Sequence, residues 1–112
     1  MIRSSFAVLT AAFLAGATNF AFAADVDAGA AEALARKSGC LKCHSTTRDK
    51  DGPSYQKVAA KYKGQTDAQQ KLVAFISKES KIKVDGKEDT HKAVDSTNEG
   101  DIKNLVGWIL SR

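Results

Sequence analysis

The sequence predicts a small all-α domain. Three observations carry this. A strong apolar stripe at helical spacing lies close to the C-terminus, side chains suited to helix capping stand ahead of the other apolar stretches, and no segment alternates with period two for more than a few residues.

Met1 to Ala23 stands apart from the fold. Arg3 gives a positive start, Phe6 to Ala17 is apolar and uncharged, and Ala21-Phe22-Ala23 has the small-x-small pattern of a signal-peptidase site. Cleavage after Ala23 is the expectation, which makes residues 1–23 a signal peptide and 24–112 the domain. The alternative is an uncleaved anchor. A spanning helix wants about 20 strongly apolar residues, and this Ala-rich stretch carries Thr10, Thr18 and Asn19. Under either reading the domain is exported.

Asp27 is the predicted N-cap of a first helix running to about Lys37, with Ala31, Leu34 and Ala35 on one face and Gly39 as its stop. Ser45 to Ser54 is polar, holds Gly52-Pro53 (the only proline) and reads as loop. A short helix from Tyr55 to Tyr62 is expected next, stopping near Gly64. Thr66 opens a third helix, with Gln69 completing a capping box and Leu72, Val73, Phe75 and Ile76 as the buried side. Lys78 to Thr97 shows no periodicity and reads as a long loop, a feature that in so small a domain is usually functional or disordered. In the last helix Ile102, Leu105, Val106, Ile109 and Leu110 fall at i, i+3, i+4, i+7 and i+8. Either Asn98 with Asp101 or Ser96 with Glu99 would cap it.

Removing 23 of 112 residues leaves 89, enough for one domain with a modest core. Small exported domains compensate with disulfides, a metal or a cofactor. The two cysteines, Cys40 and Cys43, are too close in sequence for a disulfide between them to remove much chain entropy. They belong to Cys40-Leu41-Lys42-Cys43-His44, which matches C-x-x-C-H, the attachment signature of a c-type haem. Two thiols adding across the vinyl groups form thioethers, and the turn between them sets the adjacent histidine under the ring. A haem also fills a core too slight to stand alone. Three readings compete. A thioredoxin-like pair wants a βαβ context, which is not visible. Zinc would need Cys40, Cys43, His44 and His91, two of them adjacent. A plain disulfide is the third.

Without Arg3 the chain has 16 Lys and Arg against 13 Asp and Glu. Two ionised propionates would bring the net charge to about +1, far from the strong basicity of a nucleic-acid binder. Membrane association is not expected once the leader is removed.

From about Gly29 to the end, the sequence resembles the small class I bacterial cytochromes c. The resemblance implies one covalently attached haem c wrapped by a first helix leading into C-x-x-C-H. A Gly-Pro, two short helices, a loop bearing the sixth ligand and a final helix packed across the first would follow. By this resemblance Pro53 accepts a hydrogen bond from the far nitrogen of His44, fixing its tautomer and basicity. Trp108 matches the aromatic of the last helix, with its indole N–H toward a propionate or simply in the core. The sequence departs from the family at the usual axial methionine, because the only methionine is Met1. His91, the only other histidine, is the candidate second ligand, at about the spacing from Trp108 that the family's ligand keeps. An open iron, or a lysine such as Lys83, Lys87 or Lys92, is the alternative.

Two imidazoles favour ferric iron relative to imidazole plus thioether. The expectation is therefore a low-spin, low-potential carrier of one electron in the periplasm, with no catalytic constellation of its own. Its donor and acceptor would be redox proteins docking transiently near the haem edge, steered by Lys42 and by Lys37, Lys57, Lys61, Lys81, Lys83 and Lys92. The other readings are a labile distal site that binds small gases or gives weak peroxidase activity, and a redox subunit of a larger periplasmic enzyme.

Overall fold

The structure is a computed structural model and describes residues 25–112, so the predicted signal peptide lies outside the described residues. Helix α1 spans Ala28–Lys37, followed by a single 3-10 turn at Cys40–Lys42. Helices α2, Tyr55–Tyr62, and α3, Ala68–Ile76, precede two strands, β1, Ser80–Val84, and β2, Lys87–His91; α4, Glu99–Leu110, closes the chain. Among the described residues no helix is long and apolar enough to cross a membrane.

α4 is the hub, and α1, α2 and α3 all pack on it. Its stripe forms the core as the spacing requires: Ile102, Leu105, Val106 and Ile109 are buried, and Trp108 joins them. α1 presents Ala31 and Ala35, both fully buried, and their small side chains let α4 come close. The crossing is fixed by a reciprocal clasp. Asn104 Oδ1 accepts from the Asp27 amide at 2.9 Å, and Asn104 Nδ2 donates to the Asp27 carbonyl at 2.9 Å.

Three helices begin on side-chain caps. Asp27 accepts from the Ala30 amide (2.9 Å), Ser54 from that of Lys57 (3.2 Å) and Asn98 from that of Asp101 (3.1 Å). The last contact selects the Asn98 register. The predicted capping box at α3 is not formed. Asp67 occupies the N-cap without a side-chain bond, and the Gln69 amide reaches across to the Lys103 carbonyl of α4 at 3.4 Å. Phe75, expected on the buried side, is 38% exposed.

The main correction concerns the loop expected from Lys78 to Thr97. Part of it is an antiparallel hairpin, with Ser80 opposite His91, Ile82 opposite Asp89 and Val84 opposite Lys87. Asp85 (φ 50°) and Gly86 (φ 78°) make the turn, and two successive left-handed residues are what a two-residue hairpin turn demands. Lys81-Ile82-Lys83-Val84 does alternate, but over too few residues to stand out beside the polar second strand. After the hairpin, buried Val94 pins the chain by donating its amide to the Ile76 carbonyl at 2.8 Å.

Candidate functional site

Gly39, in the left-handed region at φ 75°, ends α1 and turns the chain into Cys40–Lys42. The Cys43 and His44 amides both return to the Cys40 carbonyl, at 3.2 and 2.9 Å. Cys40, Cys43 and His44 thus share one tight turn. Both thiols are free, Cys40 half-buried against the core and Cys43 exposed. Burial pushes the Cys40 thiol up.

His44 is fixed from three sides. Its Nδ1 donates to the Pro53 carbonyl at 2.6 Å, the bond the resemblance implies. Tyr55 stacks on the ring at 5.3 Å between centroids, with the planes 20° apart. Gly52 lies against it so closely that a Cβ there would fall 2.6 Å from His44 Cε1. The loop that supplies Pro53 is closed by the Gly52 amide on the Cys43 carbonyl (2.8 Å), the Tyr55 amide on the Ser45 carbonyl (2.9 Å) and Asp49 Oδ1 accepting from the Ser54 amide (2.9 Å). Asp49 also pairs with Lys57, whose ammonium holds its carboxyl below the usual range.

His91 ends β2, and the hairpin brings its ring to 6.1 Å from that of His44, centroid to centroid, tilted by 56°. Phe75 flanks it at 4.7 Å. Burial and the neighbouring His44 lower its pKa, favouring the neutral imidazole. Its Nδ1 donates to the Lys92 carbonyl at 3.1 Å. In both histidines Nδ1 is thus spent on a backbone carbonyl, leaving Nε2 with its lone pair.

Trp108 is buried, edge-on to Tyr55 at 5.6 Å, with the Arg112 guanidinium 5.1 Å above its ring. It also lines a cleft of about 590 Å³ with Leu41, His44, Arg36 and Arg48. The lysines expected around the site, Lys37, Lys42, Lys57, Lys61, Lys81, Lys83 and Lys92, are all exposed; Lys37 and Lys57 also pair with Asp95 and Asp49, and Lys61 lies over the Tyr62 ring.

A haem fits these residues. Metal–imidazole bonds are about 2 Å long; with about 1 Å more from each nitrogen to its ring centre, two imidazoles on one metal stand about 6 Å apart, close to the 6.1 Å found. Tyr55 Oη is buried without a hydrogen-bond partner beside the Cys40 side chain, an orphaned polar atom next to an attachment cysteine. Among the described residues no three His, Cys, Asp or Glu side chains converge on a point that could hold a bare metal ion, so the four-ligand zinc arrangement is not formed.

Four roles are visible only in the fold: Gly52 as the ring's cradle, Tyr55 as its stacking partner, Asp49 as the loop's clasp and Phe75 beside His91. The only signal for the first two is their place on either side of Pro53-Ser54; Asp49 and Phe75 have none.

Residues 28–112 match the family described as Cytochrome c. The chain is 42% identical over 81 residues to cytochrome c-551 of Allochromatium vinosum, a match covering 69% of this chain and 80% of that protein. It is 38% identical over 78 residues to cytochrome c2 of Rubrivivax gelatinosus, covering 69% and 91%. Among solved structures it is similar to the class 1 cytochrome MtoD of Sideroxydans lithotrophicus (TM-score 0.73, 49% identity, covering 77% of this chain and 96% of that one). It is also similar to cytochrome c552 of Nitrosomonas europaea (TM-score 0.58, 29% identity, covering 71% and 96%). The chain belongs to the cytochrome c family, as a small class I monohaem member whose fold is all-α apart from the hairpin. It carries one covalently attached haem c and transfers electrons, with Cys40-Leu41-Lys42-Cys43-His44 as the attachment motif.

Proposed function

We propose that the protein is a periplasmic, low-potential carrier of one electron, exported by residues 1–23, with His44 and His91 as the two axial ligands of its haem. The observation that carries this reading is the pair of imidazoles 6.1 Å apart, each with Nδ1 tied to a backbone carbonyl. The only methionine, Met1, falls in the segment proposed to be cleaved, which leaves His91 as the distal side chain of choice.

Bound haem c supplies a single iron that alternates between ferric and ferrous. The chain's residues set the conditions. Cys40 and Cys43 tether the ring. The Pro53 carbonyl holds the proton on His44 Nδ1, which fixes the tautomer and raises the donor strength of Nε2; the Lys92 carbonyl does the same for His91. Two strong nitrogen donors favour the ferric state and lower the potential relative to methionine-ligated relatives. Trp108 and Tyr55 would keep water from the inner side, and the Trp108 indole N–H would serve as a donor to a propionate. With His44 and His91 both on the iron, no position on it would be left for a substrate, and the chemistry would belong to the redox partners. Exposed Lys42 beside exposed Cys43 marks the docking edge for an acidic partner, and exchange with it should slow as salt is added.

His91→Met in the holoprotein tests the ligand assignment. The reduction potential should rise by on the order of 100 mV. An unchanged potential and visible spectrum would remove His91 from the coordination shell. Rapid carbon monoxide binding to the reduced wild-type protein would replace the closed, bis-histidine reading with an open or labile distal site.

A further inference from the structure

Pro53 aims a carbonyl oxygen at His44 Nδ1, and something must aim Pro53. The Pro53 carbonyl and the Ser54 amide are the two ends of one planar peptide unit, with O and N–H pointing in opposite directions. Holding one end therefore turns the other. Asp49 holds the amide end, since its Oδ1 accepts from Ser54 N at 2.9 Å while the Pro53 oxygen lies 2.6 Å from His44 Nδ1. Ser54 is 2% exposed, so its amide has little access to water as a substitute partner. The carboxylate is itself steadied from two directions: its second oxygen pairs with Lys57 on α2, and the Asp49 backbone bridges to that of His44. The chain of contacts is thus a closed ring that begins and ends on His44.

We infer that Asp49 is a positioning residue for the His44 imidazole, acting through the Pro53–Ser54 peptide to set the strength of the hydrogen bond on Nδ1. The inference rests on His44 being an axial ligand and deepens that reading by naming the residue that tunes it. A weaker bond on Nδ1 makes the imidazole a poorer donor and shifts the balance toward ferrous iron. Lys57 is not essential to this effect, because the aiming bond comes from Oδ1.

A carboxylate near an iron also acts on it by charge alone, so the test must separate the two effects. Asp49→Asn removes the charge and keeps an acceptor for Ser54 N; Asp49→Ala removes both. In the ferric holoprotein, NMR reports exchange of the His44 Nδ1 proton with D2O, and redox titration reports the ferrous-to-ferric ratio at a fixed potential. The expected result is proton exchange at least about tenfold faster in Asp49→Ala than in wild type, and within about twofold of wild type in Asp49→Asn. The ferrous-to-ferric ratio should be about threefold higher in Asp49→Ala than in Asp49→Asn, about 30 mV for one electron. Equal behaviour of the two variants, in exchange and potential, would overturn the inference and leave only a charge effect. Should Asp49→Ala fail to retain haem, Asp49→Ser, whose hydroxyl is too short to span the gap, takes its place against Asp49→Asn with the same expectations. A wild-type protein with no paramagnetically shifted His44 ring proton would sink the ligand assignment itself, a failure visible before any variant is made.

Discussion

Gly52→Ala is the most direct probe of how the proximal histidine is seated. Gly52 is absent from the positive-φ residues, so an alanine meets no backbone strain there. The effect is steric. The added Cβ would lie 2.6 Å from His44 Cε1, 2.9 Å from Nδ1 and 3.1 Å from Nε2. Carbon atoms pack best at about 3.5 Å or more, so ring and loop must separate by about 0.9 Å. Tyr55 stacks on the ring at 5.3 Å and limits the room for retreat. The 2.6 Å bond from Nδ1 to the Pro53 carbonyl is the contact that gives, since a shift of that size takes a hydrogen bond to the edge of its range. Overpacking costs about 1–3 kcal/mol and a lost hydrogen bond about 1 kcal/mol, so a net loss of about 2–4 kcal/mol is expected. For a domain of this size that lowers the melting temperature by about 8–30 °C. Thermal unfolding followed at the Soret band measures it, and redox titration should show a higher potential from the weakened Nδ1–H bond. A variant melting within about 2 °C of wild type at an unchanged potential would refute the reasoning, because the ring would then not be resting on Gly52.

Two further outcomes follow from the same contacts. Cys40→Ala with Cys43→Ala should abolish covalent haem and leave most of the chain unfolded by circular dichroism; a compact, helical and colourless product would mean the core of α1 and α4 suffices without the cofactor. Gly86→Val puts a β-branched side chain where φ is 78°, a conformation it adopts only with strain. Because a two-stranded hairpin has little stability of its own, the expected result is a loosened His91, read as carbon monoxide binding to the reduced variant; a variant as closed as wild type would show that the hairpin turn does not govern that ligand.

The sequence by itself determined the chemistry of attachment and most of the helical frame, because both depend on neighbours along the chain. Cys40, Cys43 and His44 act through one turn. The caps at Asp27 and Asn98 act within a helix turn of their own residues, and the α4 stripe from Ile102 to Leu110 repeats at helical spacing, so each could be read locally. What the tertiary structure alone decided are the relations between distant segments. Gln69 falls out of its predicted capping box because the helix is capped at Asp67 rather than Thr66, and its amide reaches a carbonyl of α4 instead. Asp49 became a clasp only when the loop folded back on Ser54. The approach of His91 to His44 depends on the hairpin register, since sliding one strand by a single residue would turn His91 to the opposite face. Spacing along the chain singled out that histidine, but only the pairing of Ser80 with His91 aimed it at the first one.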